Sequence, residues 1–242
     1  MKKTNKELPH LCNTLAIVAL AWAFNANAIP VVTNGTWISL EEDNGPVANI
    51  SGIGTNKVSW GNPFGTSTAG PSGYTFAGVN GDAPLNNTLF ALGDFTHDNF
   101  TISLPSISGA NLDVNLNFTD EGVSQDFSFN FVHIETPNNT NPCAEGGAIP
   151  CPDLVLIPDT SSSETVLLQG NQYLLSILGF SQDGGTTVVP SFLTAEGQPN
   201  TATLYARLVL VPPTNDVSEP SALMLLAIGL VGLWSSSRRK IR

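Results

Sequence analysis

Between its two ends the chain is patterned in twos. In "NLDVNLNFT", Leu112, Val114, Leu116 and Phe118 occupy alternate positions, with Asp113, Asn115 and Asn117 between them. A period of two puts the two sets on opposite faces, so this segment predicts a half-buried β-strand. "QDFSFNFVHIE" repeats the pattern with Phe127, Phe129 and Phe131 inward. "QYLLSILGF" and "TATLYARLVLV" are apolar runs with less regular alternation, as expected nearer the middle of a sheet. Shorter segments of strand composition are "TWISL", "KVSW", "YTFAG", "LFALGDF", "FTISL" and "DLVLI". Gly, Asn, Asp and Pro punctuate the stretches between them. Ahead of the C-terminal tail no stretch holds a helical period. Many short strands separated by turn signals predict an all-β body over residues 29–213, an antiparallel β-sandwich of jelly-roll-like kind.

Both ends depart from this pattern. Residues 1–28 carry Lys2, Lys3 and Lys6, then the apolar run "LCNTLAIVALAWAF", then Ala26-Asn27-Ala28. A basic start, a short apolar core and a small-x-small site predict a signal helix that signal peptidase cleaves after Ala28. The apolar run is short of the roughly 20 residues that span a bilayer comfortably. Residues 214–242 carry Ser218-Glu219-Pro220, an uncharged apolar segment over 222–234, and the basic stop Arg238, Arg239, Lys240 and Arg242. Basic residues flanking an apolar segment stay cytoplasmic. The expected path is export of the body, with a transmembrane helix in the tail holding an inner-membrane intermediate.

Charge separates the ends from the body. Seven of the nine Lys and Arg lie in the ends, while of the twenty acids only Glu7 falls in the signal segment. Ile29 to Pro220 therefore keeps Lys57 and Arg207 against nineteen acids, a net charge of −17. Such a body has no affinity for nucleic acid or for an anionic membrane surface, and it attracts cations. Cys143 and Cys151 sit in the Gly/Pro-rich "NPCAEGGAIPCPD". Their spacing is not that of a redox or zinc pair, and in an oxidising compartment they are expected to form a structural disulfide.

Candidate chemistry is sparse. "LGDFTHDNFTI" places Thr96-His97-Asp98-Asn99 between Phe95 and Phe100, which reads as a hairpin or bent connection. The body holds only His97 and His133 as histidines, and Glu135 follows His133 by two, on the same strand face. Should His97 fold against that pair, two imidazoles and one carboxylate offer a metal site. The pattern favours a hydrogen-bonded lock instead, with His97 or Asn99 satisfying backbone groups and Glu135 accepting. The acidic loops "LEEDNG", "FTDEG" and "SQDGGT" lack the spacing of a dedicated calcium loop, so a weakly held structural calcium is the only cofactor they suggest. No nucleophile elbow, zincin motif or phosphate-binding glycine loop is present, which argues against a secreted hydrolase. Trp37, Trp60 and Tyr74 are the candidate platforms for an alternative glycan-binding role, calcium-assisted or not.

Two segments resemble known families. The tail resembles the PEP-CTERM sorting signal, a Pro-Glu-Pro-like motif, a hydrophobic segment and an Arg-rich end, with Ser218 standing where the family has its first Pro. That resemblance implies processing by an exosortase of an exopolysaccharide-producing Gram-negative bacterium, and delivery to the cell surface or matrix. Thr96, His97 and Asn99, preceded by Leu92-Gly93 and followed by Ile102, resemble the THxN family of PEP-CTERM proteins, whose bodies are similar to choice-of-anchor K domains. "HIETPN", "CPDLVLI" and "YLLSILGF" extend this likeness over roughly residues 35–211. The expected protein is exported and non-catalytic, structural or adhesive in an exopolysaccharide layer.

Overall fold

The computed structural model describes residues 28–64, 70–158 and 161–213. The expected signal and sorting helices, with Ala26, the sorting motif and the basic stop, lie outside these residues. In chain order the strands are β1 (Ala28–Glu42), β2 (Lys57–Trp60), β3 (Asn62–Pro63), β4 (Ser72–Gly78), β5 (Asn80–Pro84), β6 (Phe90–Asn99) and β7 (Ile102–Ser103). They continue with β8 (Ile107–Phe118), β9 (Val123–Ile134), β10 (Asp153–Leu156), β11 (Ser161–Leu168), β12 (Asn171–Ser181), β13 (Ser191–Thr194) and β14 (Gln198–Leu210). There is no helix among the described residues, and so none long and apolar enough to cross a membrane.

Two antiparallel sheets carry the fold, in the orders β13-β10-β9-β8-β1-β5 and β11-β12-β14-β6-β4-β2, with β3 and β7 as a small separate pair. Their inner faces meet in a sandwich-like arrangement. Phe131 of the first sheet stacks on Phe95 of the second, with ring centroids 5.5 Å apart and planes 9° from parallel. Trp37 of the first sheet lies 5.3 Å from Tyr74 of the second. The alternation read from β8 and β9 is what fills this space. Leu112 pairs with Phe129, Val114 with Phe127 and Ala110 with Phe131, and all six are buried. Directly opposed apolar pairs of this kind each contribute about 0.2–1 kcal/mol beyond alanine. β12 and β14 lie inside the second sheet, as their continuous apolar character predicts.

The segment "LGDFTHDNFTI" corrects its sequence reading. It is not a hairpin: Thr96 to Asn99 belong to β6, which pairs β14 on one side and β4 on the other. A bulge decides which way its polar residues face. Leu204 pairs with Gly93 and Tyr205 with Ala91, so Leu92 is an extra residue on the β6 side. Before the bulge the buried positions are Phe90 and Leu92; after it they are Phe95, His97 and Asn99. One inserted residue reverses the parity of everything that follows. Without it Thr96 and Asp98 would point into the core. As built, Asp98 faces outward and pairs with Lys57 at 2.8 Å, and Thr96 meets Thr201 at 2.8 Å.

Candidate functional site

The inward turn of β6 delivers two polar side chains to one end of the interior. There they meet residues from β9, β10 and β13 of the opposite sheet. His97, Asn99, His133, Asp153 and Thr194 are at most 3% exposed. Asp153 reaches the interior by parity, because it shares its inward face with Val155 and Ile157, both buried. The predicted disulfide, Cys143–Cys151, is formed and closes the loop directly before Asp153. Thr136, just after β9, fixes the carboxyl: its N–H donates to Asp153 Oδ1 at 2.8 Å, and its hydroxyl to the Pro152 carbonyl at 2.8 Å.

Thr194 is the hub. Its hydroxyl donates to the Asp153 carbonyl at 3.1 Å. A hydroxyl has one proton, so at the 2.9 Å contact with His97 Nδ1 the oxygen must accept. His97 therefore carries its proton on Nδ1 and a bare lone pair on Nε2. Asn99 Nδ2 donates to the Thr194 carbonyl at 2.9 Å. The expectation that Asn99 satisfies a backbone group is met, and the partner is a strand of the other sheet.

His133 is held from both sides. Tyr74 Oη lies 2.5 Å from its Nδ1, and Glu135 Oε2 lies 3.5 Å from its Nε2. Glu135 also accepts from Ser106 Oγ at 2.8 Å. Aromatic rings close the cluster. Trp60 stacks on His97 at 5.9 Å and 18°, and it meets His133 edge-on at 5.6 Å. Tyr74, cross-strand from His97, stands 4.9 Å from it.

The electrostatics follow from burial. Desolvation, then the neighbouring His133, holds His97 well below the usual imidazole range. Burial first, then the Glu135 charge, pushes the Asp153 carboxyl up to about 8, against the Thr136 hydrogen bond. Burial, then Asp153 and Glu135, raises Tyr74 well above the usual phenol range. Glu196, just beyond β13, is raised mainly by burial, and it accepts from Thr101 at 2.6 Å.

Several expectations change here. His97 and His133 do come together, but the carboxylate within one ion's reach of both is Asp153: their ligand atoms all lie within 4.8 Å of one another. Glu135 is displaced to the His133 side because it follows the end of β9 and turns toward Ser106. Trp37, Trp60 and Tyr74 cannot serve as sugar platforms, since all three are fully buried between the sheets. The acidic loops do not converge on a calcium cage. Glu42 accepts from the Val47 N–H at 3.3 Å, and Asp183 accepts from Ser181 Oγ at 2.7 Å and Thr187 N–H at 2.9 Å. Among the described residues, His97, His133 and Asp153 are the only such grouping of ligand side chains. Sequence reasoning missed Asp153 and Thr194. The parity of "DLVLI" was the signal for the first; nothing local marks the second.

Residues 216–240, beyond the described body, match the family model of the PEP-CTERM protein-sorting motif. The chain carries a PEP-CTERM tail. That match supports an exported protein targeted to an exosortase and passing through the membrane. No curated protein matches the chain.

Proposed function

We propose that the chain is an exported, non-catalytic β-sandwich of jelly-roll-like plan, with a structural or adhesive role in the exopolysaccharide layer of a Gram-negative cell surface. In this reading signal peptidase releases the body near Ile29. The PEP-CTERM tail then holds it at the inner membrane, and an exosortase cleaves near Ser218-Glu219-Pro220. The match of residues 216–240 to the sorting motif carries the proposal.

The body supports it in three ways. Its charge of −17 keeps it soluble once detached and unattracted to anionic lipid. The His97, His133 and Asp153 side chains are buried between the sheets, beside Trp60 and Tyr74. His97 and Asn99 of the THxN-like segment join the sheets through Thr194, as a framework role requires.

Intact-mass measurement of the cell-surface and medium forms tests the proposal. A mature species ending near Pro220 is expected, and deleting the exosortase should abolish it. Recovery of every molecule with residues 221–242 still attached would overturn the sorting step.

A further inference from the structure

The cluster between the sheets is better furnished than a hydrogen-bonded lock requires. Besides the Trp60 indole N–H, two of its buried atoms have no hydrogen-bond partner among the described residues: His97 Nε2 and Asp153 Oδ2. Both can give an electron pair to a cation, Asp153 as its carboxylate, and each sits on a group whose other donor or acceptor atom is engaged, Nδ1 by Thr194 and Oδ1 by Thr136. Leaving a buried polar atom unmet costs on the order of 1–3 kcal/mol, and ligand atoms of His97, His133 and Asp153 lie within 4.8 Å of one another, close enough for one common partner. A cation satisfies both at once, and no other described residue donates a hydrogen bond to either.

We propose that His97 Nε2, His133 Nε2 and Asp153 Oδ2, with Glu135 Oε2 as fourth donor, hold one divalent transition-metal ion of the zinc class, which ties the two sheets together. Two imidazoles and two carboxylates are a donor set for zinc or cobalt rather than for calcium, which takes six or more oxygens. A tetrahedral ion with bonds of about 2.0–2.1 Å holds its ligands roughly 3.3 Å apart. Glu135 Oε2 already stands 3.5 Å from His133 Nε2. The three buried ligand atoms, within 4.8 Å of one another, need to close by at most about 1.5 Å to reach that spacing.

The supporting contacts are those a metal site uses. A ligating imidazole donates its second N–H to a fixed acceptor, and His97 does so to Thr194. Coordination through His133 Nε2 leaves its proton on Nδ1, facing Tyr74 Oη. A surface cleft of about 240 Å³, lined by Asp43, Glu135 and Thr136 among others, opens beside the cluster. Glu135 is the only proposed ligand with appreciable solvent contact, its side chain 15% exposed, so it serves as the gate through which a cation arrives. The four donors come from three places in the chain, β6, β9 with its following turn, and β10. An ion here therefore crosslinks strands of opposite sheets.

The test uses the exported chain purified from its producing cells, stripped with a chelator and titrated with Co²⁺. One equivalent is expected, with the visible absorption of tetrahedral cobalt, its loss on adding Zn²⁺, and a raised melting temperature. Asp153→Asn and His97→Gln should each weaken Co²⁺ binding at least about tenfold. Asp183→Asn, in an exposed acidic loop, should leave it unchanged. Should either buried variant fail to fold by near-ultraviolet circular dichroism, Glu135→Gln replaces it, with the same tenfold loss expected. Failure of the folded wild-type chain to take up Co²⁺ or Zn²⁺ at micromolar concentration would overturn the proposal. So would uptake that all these variants share, or cobalt displaced by millimolar Ca²⁺.

Discussion

Replacing Thr194 by valine removes one oxygen and leaves the shape of the side chain almost unchanged. The structure makes that oxygen a hub: it accepts from His97 Nδ1–H at 2.9 Å and donates to the Asp153 carbonyl at 3.1 Å. In the valine variant the buried imidazole keeps an Nδ1–H with no acceptor. Changing tautomer does not help, because a bare Nδ1 would face a methyl group instead. An unmet buried donor costs about 1–3 kcal/mol, and loss of the bond to the Asp153 carbonyl adds roughly 1 more. Thr194→Val is therefore expected to lower unfolding stability by about 2–4 kcal/mol, although threonine and valine have nearly equal volume. Thr194→Ser keeps the hydroxyl and should recover most of the loss. Thr201→Val removes a hydroxyl from the exposed Thr96–Thr201 pair and should stay within about 0.5 kcal/mol of wild type. Urea unfolding in the presence of chelator, at one pH, gives all three values. Nitrogen NMR of the histidine rings reads the second half of the reasoning, with His97 protonated on Nδ1 in the wild type. A Thr194→Val chain within 0.5 kcal/mol of wild type, or a His97 protonated on Nε2, would refute the hub.

Two further outcomes follow from the interior. Phe76 is wedged between sheets, so that a Cβ at Gly35 would lie 2.3 Å from its ring on one side, and one at Gly93 also 2.3 Å on the other. Gly35→Ala should destabilise by about 1–3 kcal/mol, and Phe76→Leu in the same chain should restore part of it; a Gly35→Ala chain as stable as wild type excludes the wedge. Asp153, in metal-free protein, has its pKa raised from 3.8 to about 8 on folding, chiefly by burial. A raised acid contributes stability fully present below its unfolded value and lost as pH rises through its folded value. The stability of Asp153→Asn minus that of wild type should therefore climb between about pH 4 and pH 8, by up to about 1.4 kcal/mol per unit. Urea unfolding across that range checks it, and a difference independent of pH contradicts the burial of this carboxyl.

What the sequence displays and what it hides divide along a physical line. β8 and β9 are legible because each has one face in the core and one in water, and each pairs in simple register with its neighbour in the chain. Cys143 and Cys151 are legible because they share one short loop. β1 is half hidden. Asn34-Gly35 reads as turn punctuation, yet it lies mid-strand, where Gly35 is the residue that admits the Phe76 ring. β5 and β13 are hidden because short, polar or mixed segments acquire strand geometry from the partners they meet, not from their own composition.

The candidate site is hidden for a different reason. Thr96-His97-Asp98-Asn99 has the composition of a turn, and alternation alone cannot say which two of the four face inward. That choice is made by the extra residue Leu92, and the bulge exists only because β14 pairs on both sides of it. Had β6 run in unbroken register from Phe90, Thr96 and Asp98 would face the core, and Lys57 would lose its ion-pair partner on the outer surface. The same local sequence would then bury a carboxylate beside Tyr74 and expose an imidazole. Thr194, which completes the site, is 97 residues from His97 and lies in a four-residue strand with no distinguishing pattern. A chain whose polar interior depends on one bulge and one distant hydroxyl keeps its histidines in plain view and their surroundings out of it. The carboxylate that joins them is the exception. Asp153 opens "DLVLI" in phase with two core residues, and an acid in phase with the core must be neutral, paired or bound to a cation.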